Sequence, residues 1–205
     1  MDMMTRRRAM MAGIALPEWD VEWDYTMGLP TTVPGFSLLS SGTGSITMTE
    51  SGLYIRAGSS SSAYRYYTLL DYGCTTGVME AVLTIPSESA TANRAFGFLQ
   101  ISNTTEALRC YFFHSATTDK LRLDNGSELK GGTGVFDFSY DTEMTVRLEI
   151  DNGVGQIYLD GVLKKSGITL SSLKTPRPPR FGNANGGSSQ SGAVWKSAKF
   201  KIGRL

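Results

Sequence analysis

The sequence predicts an all-β chain folded as two stacked antiparallel sheets, and three observations carry that expectation. Apolar and polar residues alternate in segment after segment, most cleanly over Met144–Asp151, where Val146, Leu148 and Ile150 face one way and Arg147 and Glu149 the other. Turn formers recur about every ten residues, as sandwiches and barrels require. The composition agrees: 23 glycines, only 19% charged residues, and frequent Tyr, Phe, Thr and Val suit short pleated strands better than amphipathic helices.

Taken in order, the predicted strands are Trp19–Tyr25, Ser45–Glu50, Leu53–Ala57, Ala63–Leu70, Val78–Ile85, Ala95–Ser102, Leu108–His114, Lys120–Asp124, Met144–Asp151, Gly155–Asp160, Val162–Lys165 and Ala193–Ile202. Asp124-Asn125-Gly126, Asp151-Asn152-Gly153 and Asp160-Gly161 punctuate them, because Asn-Gly and Asp-Gly favour the positive backbone angles of tight hairpins. Ser171–Lys174 is the one candidate helical turn. Pro86–Arg94 and Thr175–Gly192 are polar and broken by proline or glycine, so they read as long loops. Ala95–Ser102 and Leu108–His114 are apolar on both parities and read as central strands, with Arg109, Tyr111 and Phe113 on the face away from the core.

The whole chain of 205 residues fits one domain. Residues 1–16 read as an N-terminal arm: a basic Arg6-Arg7-Arg8 patch and a short apolar stretch that runs into Pro17 without a small-x-small cleavage site. Residues 17–205 form the domain. The arm is expected to dock on a neighbouring subunit and make the protein an oligomer.

Charge and residue inventory exclude several chemistries. A net charge of +1 gives no field to draw a phosphate backbone, so nucleic acid is not an expected partner. No stretch reaches membrane-spanning length. His114 is the single histidine, which rules out a histidine metal cluster, and no G-x-S-x-G elbow or phosphate-cradling glycine loop is present. Cys74 and Cys110 form no C-x-x-C pair; two buried free thiols are expected, with a disulfide between them as the alternative.

What remains points to binding. Sugars are held by flat aromatic faces and a few planar polar partners. Arg65 and Tyr67 share one face of their strand and Tyr64 and Tyr66 the other; Arg109 and Tyr111 could join from a neighbouring strand, with Trp195 capping one side. Arg65, Tyr67, Arg109, Tyr111 and Trp195 are therefore the expected ligand-binding set, with no metal and no cofactor assigned.

The stretch Thr145–Leu163, with its tight turn followed by Tyr158-Leu159-Asp160-Gly161, resembles the hairpin pair of concanavalin A-like lectin/glucanase and laminin-G-like domains. Arg180-Phe181-Gly182-Asn183, a Gly/Ser loop and Ala193–Ile202 resemble the closing stretch of the same domains. The likeness covers roughly residues 20–203. It implies a jelly roll whose concave side often carries a ligand groove, and no single function. Relatives often hold calcium in loops, and Asp119, Asp124, Asn125, Asp151 and Asn152 are loop oxygen donors, although the hairpin turns already account for Asp-Asn-Gly. The start Thr5–Met11 is similar to that of phage and prophage tail or surface proteins, implying a virion or bacterial-surface location with neighbouring particle subunits as partners.

One constellation could be catalytic. Glu18, Asp20 and Glu22 form an E-x-D-x-E that resembles the catalytic strand of laminarinase- and lichenase-type glycoside hydrolases, implying Glu18 as nucleophile, Glu22 as acid/base and Asp20 as their tuner. Residues i, i+2 and i+4 do share a face. Yet the two glutamates lie about 13 Å apart along a strand, whereas a retaining pair needs about 5–5.5 Å. The competing reading is an amphipathic first strand with Trp19, Val21 and Trp23 buried and the carboxylates wet. The sequence therefore favours a non-enzymatic carbohydrate-binding or structural module over a retaining endo-glycosidase.

Overall fold

The computed structural model describes residues 19–58, 63–69, 76–89, 94–102, 107–115, 118–124, 135–170, 178–184 and 192–203. Fifteen strands lie among them: β1 Val21–Asp24, β2 Phe36–Ser41, β3 Gly44–Thr49, β4 Gly52–Ala57, β5 Tyr64–Leu69, β6 Thr76–Thr84, β7 Arg94–Ser102, β8 Ala107–Ser115, β9 Thr118–Asp124, β10 Val135–Asp137, β11 Glu143–Asp151, β12 Val154–Leu159, β13 Val162–Thr169, β14 Arg180–Ala184 and β15 Gly192–Ile202. They form two antiparallel sheets. The eight-stranded sheet runs β13-β12-β11-β6-β15-β4-β3, with β1 also paired to β15; the seven-stranded sheet runs β10-β9-β8-β7-β14-β5-β2. The expected sandwich is the observed one. The helical turn expected at Ser171–Lys174 and the arm, with Glu18, lie outside the described residues.

Local chemistry explains the hairpins. Asn152 and Gly153 take φ of 49° and 80°, and Asp160 and Gly161 take 52° and 75°, the doubly positive geometry of a two-residue turn. Asp160 also accepts the Thr145 amide at 2.8 Å, tying the β12–β13 turn to the start of β11.

Three strands escape the period-two pattern, and all are in the seven-stranded sheet. β2 is an edge whose residues after Ser37 are exposed, so no burial enforces alternation. β10 is three residues long. β14 corrects the reading of Thr175–Gly192 as one long loop: Arg180–Ala184 is an interior strand between β5 and β7. Its Gly182 disguises it. There φ is +145°, and a Cβ would stand 2.2 Å from the Arg65 carbonyl oxygen, so only glycine lets β14 and β5 approach.

The core lies between the layers and is centred on Phe181, fully buried. Its ring stacks on Trp23 at 5.5 Å and Tyr67 at 5.6 Å, meets Phe36 edge-on at 5.7 Å and touches Trp195 at 5.1 Å. Those rings come from β1, β5, β2 and β15, so one residue of β14 ties both sheets together. Asn183, two residues on, is the polar counterpart. Its amide donates to the Ile55 carbonyl across the sandwich at 3.4 Å, and its Oδ1 accepts the Gly97 amide at 3.0 Å. Gly97 sits at φ +62° in a bulge of β7 against β8, where the ladder skips a partner and Asn183 supplies one.

Candidate functional site

Leu69 and Tyr67 point into the core, so alternation sends Tyr64, Tyr66 and Thr68 of β5 to the outer face of the seven-stranded sheet. Register then builds a row across neighbouring strands. Thr68 stands opposite Arg180 of β14, Arg180 opposite Gln100 of β7, and Gln100 opposite Arg109 of β8. Beside it, Tyr66 opposes Gly182, and Tyr111 lies on β8 two residues beyond Arg109. Two guanidiniums, one carboxamide and two phenols thus share one surface.

These side chains are held, not loose. The Arg180 guanidinium lies 4.2 Å over the Tyr66 ring and donates to Gln100 Oε1 at 3.2 Å. Gln100 in turn donates to the Pro178 carbonyl at 3.3 Å. Stacking fixes the plane of the arginine, and a desolvated cation–π contact of this kind is worth about 2 kcal/mol. Although outward by parity, the row is covered: Gln100 is 1% exposed, Tyr66 6%, and Arg109 and Arg180 8% each. The segment entering β14 provides part of that cover, since Pro179 also accepts from the Leu69 amide and the Thr68 hydroxyl. The face opens at Tyr64, half-buried and stacked on Tyr66 with centroids 5.5 Å apart.

The five residues expected to bind divide between layers. Arg109 and Tyr111 are on this outer face. Tyr67 and Trp195 are not: they are 1% and 0% exposed in the inter-sheet core, and burial pushes the Tyr67 hydroxyl up to about 12. Arg65 shares the inward parity of Tyr67 at the sheet margin, where it donates to the Ser41 and Gly42 carbonyls at 2.8 and 2.7 Å and fixes the β2–β3 turn. The outward aromatic residues of β5 are thus Tyr64 and Tyr66, one residue away from Arg65 and Tyr67. Leu69 was the signal for that parity. Arg180 and Gln100 gave no such signal, because their neighbourhood depends on β14, which reads as a loop.

The acidic first strand has another placement. Asp20 and Glu22 are exposed on the outer face of the eight-stranded sheet, while Trp19, Val21 and Trp23 are buried. Glu22 pairs with Lys199 at 2.9 Å. Asp20 accepts the Ile202 amide at 2.7 Å, and Asp24 caps the following turn through the Thr26 amide. The carboxylates of Asp20 and Glu22 therefore knit β1 to β15. Glu18 lies outside the described residues.

Several other polar side chains of that outer face pair with one another. Arg56 lies 4.5 Å over the Tyr54 ring, and both donate to Glu88 Oε1, at 2.9 and 2.7 Å. Those bonds, from Tyr54 first and Arg56 second, hold the Glu88 carboxyl below its ordinary range. Arg147 pairs with Glu149 and Lys196 with Glu143. A depression of ≈ 250 Å³ lined by Thr76, Glu149, Asp151 and Gln156 has both its acids already engaged, Glu149 with Arg147 and Asp151 accepting the Thr76 hydroxyl at 3.1 Å.

Among the described residues no group of three or more His, Cys, Asp or Glu side chains could hold a metal ion. Asp151 and Asn152 serve the hairpin, whereas the side chains of Asp119, Asp124 and Asn125 lie outside what is described. Cys110 is a buried free thiol, raised by burial; Cys74 and the side chain of His114 are outside the described set.

No family model and no curated protein matches this sequence. Solved structures do match its fold. The carbohydrate-recognition domain of Emp46p is similar with a TM-score of 0.59 at 10% identity, over 83% of this chain and 89% of that one. A protein of unknown function with a galectin-like fold from Bacillus subtilis is similar with a TM-score of 0.58 at 12% identity, over 89% and 96%. The exoplasmic/lumenal domain of VIP36, in a form bound to Ca2+ and Man3GlcNAc, is similar with a TM-score of 0.53 at 11% identity, over 84% and 85%. At such identities the likeness establishes the architecture, a concanavalin A-like jelly roll.

Proposed function

We propose that this chain is a non-enzymatic carbohydrate-binding module that reads a surface glycan on the outer face of its seven-stranded sheet. The observation that carries the reading is the locked layer of Tyr66, Arg180 and Gln100 beneath the accessible ring of Tyr64. The apolar face of a sugar ring would lie on Tyr64, whose ring the covered layer beneath holds in place. Because the layer is pre-ordered by stacking and register, little side-chain entropy opposes binding. The folds of Emp46p and VIP36, domains whose names or bound forms concern carbohydrate, support the same assignment.

The wider setting belongs to the same proposal: a tail, fibre or capsid-surface protein of a phage or prophage, located on the virion or the bacterial surface. Its support is the resemblance of Thr5–Met11 alone.

The test is a glycan array of bacterial surface polysaccharides probed with wild type and Tyr64→Ala. Wild type should bind a defined subset, and Tyr64→Ala should weaken that binding about tenfold, the worth of one aromatic contact. A blank array at high protein concentration, or undiminished binding by Tyr64→Ala, would remove the reading. Repeating the array with a chelator reads any contribution from a loop calcium.

A further inference from the structure

The two margins of the sandwich are built differently. At one margin the edges are β13 and β10. β13 exposes Val162 and Leu163 but follows them with Lys164 and Lys165, takes φ +66° at Gly167 and pairs irregularly with β12; β10 is three residues long and ends in Asp137. Charges, irregular pairing and shortness are the usual means by which edge strands are kept from pairing with other chains.

The opposite margin has none of them. Its edges, β2 (Phe-Ser-Leu-Leu-Ser-Ser) and β3 (Gly-Ser-Ile-Thr-Met-Thr), are consecutive in sequence and end the two different sheets. Each has six residues, no charge, no proline and an unbroken register with its inner neighbour. Their apolar side chains are uncovered as well. Leu38 and Met48 stand opposite the core residues Tyr67 and Leu53, at inward parity, yet are 45% and 38% exposed. Leu39, on the outer face, is 44% exposed. Among the described residues, apolar surface of both edge strands is thus left accessible along this side.

We infer that β2 and β3 form the interface of a symmetric dimer, the occupant being a second copy of this chain. Charge selects that occupant. A two-fold axis normal to the sheet beside Leu38 sets Leu38 against Leu38 of the other copy and Leu39 against Ser37, with no like charges facing. The same operation on β13 would bring Lys164 and Lys165 together, and like charges directly opposite are destabilising. Pairing at β2 also prolongs the seven-stranded sheet across the axis and covers Leu38 and Met48, the apolar surface left accessible at that margin.

The experiment is the mass of the full chain in solution by light scattering after size-exclusion chromatography, with Leu39→Lys, Met48→Lys and, as a control at the other margin, Leu163→Lys. All three positions are exposed, and circular dichroism checks each fold. Wild type and Leu163→Lys should run at twice 22.3 kDa. Leu39→Lys and Met48→Lys should shift to 22.3 kDa, with a dimer dissociation constant raised about a hundredfold. A monomeric wild type at about 100 µM, where any stable homodimer is assembled, would overturn the inference. So would a dimer indifferent to the β2 and β3 lysines, or one broken only by Leu163→Lys. If one lysine variant fails to fold, the other still decides.

Discussion

The Tyr54–Arg56–Glu88 cluster shows how a wet face still shapes stability. The Tyr54 hydroxyl and the Arg56 guanidinium both donate to one carboxylate oxygen, so both bonds are stronger while Glu88 is ionised. That lowers the Glu88 pKa from its ordinary 4.5; burial, and then the Glu88 bond, raise that of Tyr54. The sign follows from linkage. A depressed carboxyl contributes stability that is fully present above the unfolded-state value and is lost as pH falls through the folded one. Wild type should therefore exceed Glu88→Gln in melting temperature above about pH 5, with the gap closing toward about pH 3. Melting curves across that range check it; a gap independent of pH would show that Glu88 acts by packing alone. Being mostly solvent-exposed, the cluster contributes modestly. It was also illegible in the sequence: Glu88 falls in a stretch readable only as loop, and nothing local says that it reaches back to β4, 32 residues earlier.

At the scale of the element, legibility tracked burial. Where one face meets the core and the other meets water, as in β11 with Met144, Val146, Leu148 and Ile150 inward, alternation located the strand within a residue or two. β2, an exposed edge, and β14, with a glycine at its centre, gave alternation nothing to act on, whereas the equally exposed β3 still alternates in Ser45–Thr49. β14 is the costly case, since it sets Phe181 in the core, Asn183 across it and Arg180 on the outer face, and its loss from the reading removed Arg180 from the candidate site. The element also depends on one atom's absence. Gly182→Ala must adopt φ +145° and thrust a Cβ to 2.2 Å from the Arg65 carbonyl oxygen and 2.9 Å from the Tyr66 Cα, all of them unable to yield without parting β14 from β5. Backbone strain of about 1–3 kcal/mol and overpacking of similar size together predict a loss near 3 kcal/mol. Urea unfolding measures it. A loss below about 0.5 kcal/mol, the range of an ordinary surface change, would mean that the two strands are not held at this approach.

For the whole molecule the two margins and the outer face are not independent. β2 borders β5, the strand that carries Tyr64 and Tyr66, so the proposed two-fold axis beside β2 would place two such stacks on one continuous sheet. Two weak sugar sites held rigidly on one body bind a dense glycan surface more tightly than either alone, by about 10²–10⁴ when both engage. Met48→Lys separates the terms, because Met48 lies on the other sheet, away from the tyrosines, while its charge would open the dimer. On a densely coated sensor the variant should dissociate at least about a hundredfold faster than wild type. For a short soluble oligosaccharide titrated by calorimetry the two should have equal affinity, since each molecule of sugar meets one site. Equal dissociation from the dense surface would sever the link between the uncharged margin and recognition. An affinity difference in the calorimeter would place Met48 within reach of the sugar and count against a binding face on the seven-stranded sheet.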